Sequence, residues 1–140
     1  MDEAAITEYI RSTFPGVETT DAYGYTMFFY GADRKLPFAT IASSDNEHDS
    51  VSDLYRAGIF RLNIGVTKQT FQSLFGPSPI EAADYDYTAV DKFMPHPDYA
   101  AWQFICVLNP SEQSTARVKA FLAEGYGIAD RRARRDMPHE

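Results

Sequence analysis

The sequence predicts an α+β fold, one domain with an antiparallel sheet of four or five strands and three main helices. Two observations carry this. In the stretch Gly58-Ile59-Phe60-Arg61-Leu62-Asn63-Ile64-Gly65-Val66, apolar Phe60, Leu62, Ile64 and Val66 alternate with Arg61, Asn63 and Gly65. That period of two belongs to a strand with one buried face. Thr67 can then cap a helix whose Phe71, Leu74 and Phe75 fall on one side. Gly76-Pro77 stops it, because Gly tolerates a left-handed C′ position and Pro cannot continue a helix. The strand at Ile59 to Val66 is therefore internal and hands over directly to a packed helix.

The other elements follow in order. Asp2 is placed to cap a first helix to about Phe14, with Ile6, Tyr9, Ile10 and Phe14 as its buried stripe. Pro15-Gly16 ends it, and Val17 to Gly24 reads as polar and turn-rich. Tyr25 to Tyr30 is a strand by its aromatic and β-branched content. Gly31 to Lys35 reads as a hairpin loop returning through Leu36 to Ala42, with Pro37 at the start of that strand. Ser43 to Asp53 reads as a mobile acidic loop with one helical turn.

Gly76 to Asp98 is long and irregular, and such loops are often functional. It offers a short strand near Tyr85 to Ala89 and a helical turn near Asp91. Trp102 to Leu108 is apolar on both faces, the mark of an inner strand covered on both sides. Asn109-Pro110-Ser111-Glu112 reads as a helix start with Asn as N-cap, Pro at N1 and Glu at N3. Val118, Phe121, Leu122, Gly125, Tyr126 and Ala129 form the stripe of that helix. Gly125 and Gly127 each lower helix propensity by about 1 kcal/mol, so packing must hold it. Residues 131–140 read as a frayed basic tail, with Arg131 to Arg135 completing a helix C-terminus or forming a docking arm.

A chain of 140 residues buries roughly two thirds of its unfolded surface, and ten Phe, nine Tyr and one Trp suggest a core built on rings. The formal net charge of −7 argues against a general nucleic-acid binder, whose affinity comes from basic side chains on phosphates. Cys106, the single cysteine, allows no intrachain disulfide and lies in an apolar run, so it reads as a core residue. The N-terminus lacks a basic start followed by an apolar run, and no apolar run of about 18 residues exists. The expectation is a cytoplasmic protein with no membrane contact.

Neither a Gly-rich phosphate loop, a metal-ligand repeat nor a Ser nucleophile elbow is present. His96 stands between Pro95 and Pro97, among Asp84, Asp86, Asp91 and Asp98, with Tyr99 and Trp102 close behind. A carboxylate beside an imidazole could orient it as a base or a ligand. The alternatives are a proline-stiffened loop with a histidine tied to a backbone carbonyl and a solvated acidic rim, a small-molecule site, or a metal site. One well-placed His makes the metal case weak, and no cofactor is expected. Arg61 and Asn63 occupy the less apolar face of the central strand. A buried Arg needs a carboxylate, which the acidic loop can supply as a structural pair. Asp84 or Asp86 could also reach Arg61, His96 and Trp102 to make one cluster. The candidate binding residues are thus Arg61, Asn63, Asp84, Asp86, His96, Tyr99 and Trp102.

The order of these features resembles the MmcQ/YjbR family of small bacterial proteins: a helix ending in Pro-Gly, an aromatic hairpin, Arg-Leu-Asn-Ile running into a helix, His96 with Trp102, and a C-terminal helix holding Tyr126. The phrases Phe-Arg-Leu-Asn-Ile-Gly-Val and Met-Pro-His-Pro are also similar to a set of bacterial domains of unknown function. The resemblance implies two layers, a curved sheet with helices on one side, similar to type III secretion chaperones. It also implies DNA binding by family analogy. Two departures remove positive charge: Gly65 stands where that family carries Lys, and Pro97-Asp98-Tyr99-Ala100-Ala101 replaces its basic loop. Three function classes remain: a binding module for a small molecule or protein, an enzyme with His96 as acid–base, and a DNA-binding accessory protein. The oligomeric state is open between monomer and homodimer.

Overall fold

The computed structural model describes residues 1–31 and 36–135. The first helix, α1 (Glu3–Thr13), starts where Asp2 Oδ1 accepts from Ala5 N at 2.8 Å, and Phe14 ends it in extended backbone. Val17–Ala22 (β1) and Tyr25–Tyr30 (β2) form a hairpin through Tyr23 and Gly24, both at positive φ. Two such residues make the turn whose twist matches a β-hairpin. The polar, turn-rich reading of Val17 to Gly24 is corrected here. β1 is an edge strand whose side chains meet water on both faces, so no apolar alternation marks it. The return strand β3 is Ala39–Ala42, with Pro37 ahead of it. The loop expected at Gly31 to Lys35 lies, beyond Gly31, outside the described residues.

The central strand β4 (Arg61–Gly65) is buried throughout and runs into α2 (Lys68–Phe75). Thr67 Oγ1 accepts from Thr70 N at 3.1 Å, and Gly76 closes the helix at φ 86. Carboxylate oxygens of Glu124 accept from Thr67 N and Thr70 Oγ1, a second cap that the linear pattern of α2 could not show. A two-residue strand β5 (Met94–Pro95) and β6 (Phe104–Leu108) complete the sheet, and α3 spans Thr115–Arg135. The six strands are antiparallel in the order β1-β2-β3-β4-β6-β5, more than the four or five expected, because the polar edge strand β1 and the two-residue β5 carry no apolar pattern. No strand forms at Tyr85 to Ala89; a 3-10 turn at Ala82–Asp84 precedes it and the stretch itself holds irregular turns.

The main core lies on one face of the sheet. Leu62 and Ile64 of β4, Ile105 and Val107 of β6, Ala39 and Ile41 of β3 meet Ile6 and Ile10 of α1, Phe71 of α2, and Val118, Phe121 and Leu122 of α3. This is an α+β fold with the helices' buried side chains gathered on one face, as the alternation at Phe60 to Val66 requires. Gly125 explains how α3 sits so close. A Cβ there would stand 2.8 Å from the Gly65 carbonyl oxygen and 3.2 Å from that of Phe38. The missing side chain lets the helix backbone lie against the strand ends.

Two expected boundaries move. Asn109 does not cap α3: at φ 40 its side chain turns back, with Oδ1 accepting from Phe60 N at 3.0 Å and Nδ2 donating to Gly58 O at 2.7 Å. Asn tolerates the left-handed region, and so serves as a clamp on the entry to β4. Asp91 ties down the 3-10 turn at Glu112–Ser114 that leads into α3, accepting from Ser111 N and Ser114 Oγ. Trp102 does not open β6, because Ala100–Trp102 is a 3-10 turn and Gln103 at φ 61 reverses the chain before Phe104. At the other end Arg131 to Arg135 continue α3, while residues 136–140, including His139, lie outside the described residues. Among the described residues no helix is long and apolar enough to cross a membrane.

Candidate functional site

The face of the sheet away from the main core carries the polar side chains. Strand register aligns Met27, Thr40, Asn63, Cys106 and Met94 in one row across it, and Tyr25, Ala42, Arg61 and Leu108 in the next. Residues 43–58 fold over this face. They carry turns and one bridge, Asn46 with Asp49, in place of the expected helical turn.

That segment is pinned from below. Arg61 is 0% exposed, and its guanidinium donates to Asp49 Oδ1 at 3.1 Å, Asp49 Oδ2 at 2.5 Å, Ser52 Oγ at 3.1 Å and Asn63 Oδ1 at 2.9 Å. Tyr25 donates its hydroxyl to Asp49 as well, and Asn63 Nδ2 donates to Thr40 Oγ1 at 3.0 Å. Burial pushes the Asp49 carboxyl up, but the bonds from Arg61 and Tyr25, with the Arg61 charge, outweigh it and hold it below the usual range. The acidic loop thus supplies the Arg61 partner, as a structural pair.

Asp84 and Asp86 do not take that role. Both are exposed and away from the cleft described below. Asp84 ends a 3-10 turn, and Asp86 Oδ1 accepts from Thr88 N and Thr88 Oγ1 at 3.0 and 2.6 Å. An Asp that can bond the backbone two residues on has no need of a distant cation. The cluster expected around His96 therefore does not include them.

Between the sheet, residues 46–49 and the turn at 96–102 lies a cleft of about 880 Å3. Met27, Thr40 and Asn63 make its floor, and Tyr25, Asp49, His96 and Phe104 its walls. Tyr23, Tyr99 and Trp102 stand at its edge, 88%, 56% and 69% exposed. Of the sequence candidates, Asn63, His96, Tyr99 and Trp102 line this cleft, while Arg61 lies beneath it as the anchor of Asp49.

His96 is 5% exposed. Its backbone N–H donates to Phe104 O at 2.9 Å, and the turn that follows wraps the ring so that Nδ1 accepts from Asp98 N and Tyr99 N, both at 3.0 Å. Its ring also packs on Tyr99 with centroids 5.0 Å apart. Burial first, and the Arg61 charge second, push its pKa down to about 3. The bond expected from the ring to a backbone carbonyl is replaced by the reverse: the ring accepts from two amides. Cys106 is sealed in a second apolar cluster with Tyr87, Met94 and Leu108, and burial pushes its thiol up to about 12. Among the described residues no three metal-ligating side chains converge.

Sequence reasoning missed Tyr23, Tyr25, Met27, Thr40 and Asp49. Tyr25 and Met27 share a strand face by parity, which is a usable signal once β4's polar face is seen to carry Arg61 and Asn63. Nothing in the chain distinguishes Asp49 from Asp45 or Asp53. A family model described as a family of unknown function (DUF6194) matches residues 1–138. No curated protein and no solved structure matches the chain.

Proposed function

The chain belongs to that family of unknown function, and we propose that this member is a non-catalytic binding module whose cleft takes a small molecule with a flat, apolar body. The cleft itself carries this reading. Its volume, about 880 Å3, falls within the range of roughly 300–1,000 Å3 typical of small-molecule sites, which are mostly apolar with a few placed polar groups. Three ring side chains left in water at its edge can each bury apolar area against a ligand ring.

The chemistry of His96 supports binding over catalysis. A general base needs a free lone pair and a pKa near the working pH. Here Nδ1 is committed to two amides and the ring stays neutral far below neutrality. A sealed thiol at about 12 is no nucleophile either.

The MmcQ/YjbR resemblance, carried to function, would favour DNA. Against that reading stand the net charge of −7 and carboxylates Glu47 and Asp98 on the cleft edge. A protein docking on the same exposed rings is the alternative within the binding class. A cytoplasmic setting accords with the lone buried thiol.

Trp102 is the single tryptophan and stands at the cleft, so its emission reports occupancy. Titration with the neutral dye N-phenyl-1-naphthylamine should quench Trp102 and raise dye emission with one saturable site. Saturation that survives Met27→Trp, which fills the floor, would place the dye elsewhere and remove the reading.

A further inference from the structure

We propose that the cleft selects an uncharged hydrogen-bond acceptor, a ketone or amide oxygen on its ligand, and that His96 Nε2–H is the group that reads it. This deepens the small-molecule reading of the cleft and rests on it. A ring nitrogen that accepts two amide N–H groups carries no proton, so the partners of Nδ1 assign the neutral ring's proton to Nε2. Among the described residues no acceptor meets Nε2. Among them, too, the one sealed side-chain nitrogen or oxygen without a partner is Ser111 Oγ. Nε2 is therefore not a sealed orphan, and the ring that carries it lines the cleft.

Two of the neighbouring polar groups are already engaged. Asp49 takes Arg61 and Tyr25, and Asn63 links Arg61 to Thr40. His96 Nε2–H is left as a donor beside the rings of Tyr99 and Phe104. Filling the cleft without an acceptor would strand that N–H out of water, which is the usual source of discrimination against a ligand lacking the matching group. Charge then decides between a neutral acceptor and a carboxylate. Arg61 is neutralised by Asp49, and the edge carries Glu47 and Asp98, so among the described residues the cleft offers no unpaired cation. An anion would be desolvated there without compensation. With its ring held neutral by burial, His96 presents the same donor across the ordinary pH range.

Three probes of one shape test this: 2-acetylnaphthalene, its isostere 2-isopropenylnaphthalene with a CH2 group in place of oxygen, and 2-naphthoate. Binding is followed by the single indole N–H resonance of Trp102. The ketone should bind about tenfold more tightly than the hydrocarbon, the difference of one good hydrogen bond, and more tightly than the carboxylate. In His96→Phe the ketone should fall to the hydrocarbon's affinity. On the unmodified protein, the His96 Nε2–H resonance should move downfield with the ketone and not with the hydrocarbon, a readout independent of how the variant folds. Equal binding of ketone and hydrocarbon, or tightest binding by the carboxylate, overturns the proposal and leaves the cleft as a site. Failure of all three to move the Trp102 resonance overturns the cleft reading with it.

Discussion

Arg61 and Asp49 form a two-bond clamp, 2.5 and 3.1 Å long, between the middle of the sheet and the segment folded over it. Both groups are out of water, so each depends on the other for compensation. Asp49→Ala leaves a buried guanidinium unpaired and should cost about 3–5 kcal/mol. Replacing both, Asp49→Ala with Arg61→Met, should recover part of that loss, since the stranded charge causes most of it. Urea denaturation of the two variants checks the pair. A loss below about 1 kcal/mol in the single variant is incompatible with a buried, mutually dependent pair.

The two glycines of α3 should respond in opposite directions. At Gly125 a new Cβ meets backbone oxygens at 2.8 and 3.2 Å, and backbone cannot step aside. Overpacking of that kind costs about 1–3 kcal/mol, which offsets or exceeds the helix-propensity gain of about 1 kcal/mol. At Gly127 the nearest atom is the end of the Arg131 side chain, 3.4 Å away. Gly127→Ala should therefore raise the melting temperature and Gly125→Ala lower it.

Stability should fall on mild acidification because of His96. Its pKa is about 3 in the fold against an ordinary 6.5. Between those values the unfolded chain binds the extra proton, so stability rises with pH. The contribution is complete above the unfolded value and disappears as pH drops toward the folded one. One proton corresponds to about 1.4 kcal/mol per pH unit. Asp49, whose folded pKa is depressed, adds a further loss only below the ordinary carboxylate range. From pH 7.5 to 4.5 the parent protein should lose about 2–3 kcal/mol more than His96→Gln in urea midpoints. Parallel curves would mean that His96 titrates normally.

Duplex DNA should not bind usefully at physiological salt. A chain of net charge −7 repels phosphates, and two of the α3 arginines are engaged, Arg134 with Asp130 and Arg132 with the Leu36 carbonyl. Sub-micromolar electrophoretic shifts that weaken steeply with added salt would reverse this conclusion.

What could be read from the chain were features fixed by neighbours in sequence. Asp2 and Thr67 cap their helices because the groups they meet are three residues away. The alternation at β4 identified its core face because parity alone decides which way a side chain points. The exposed hairpin strand β1 lacked such a signal, and Asn109 carried a misleading one: its cap-like setting is genuine, but its side chain answers to Gly58 and Phe60, 51 and 49 residues away. The site was legible in half. His96, Trp102 and Asn63 stood out by type and position, whereas Asp49 was chosen from several acidic residues by a fold-back that only the tertiary structure specifies.

The central claim is that a small molecule occupies the cleft on the sheet's polar face, and Met27 on its floor reports this most directly. In protein carrying 13C-methyl methionine, the Met27 methyl borders the cleft, while Met1 packs at the helix-side core. Addition of N-phenyl-1-naphthylamine should shift the Met27 methyl resonance saturably and leave Met1 in place. Saturable dye binding with Met27 unmoved, or with Met1 moving in its stead, would contradict the account.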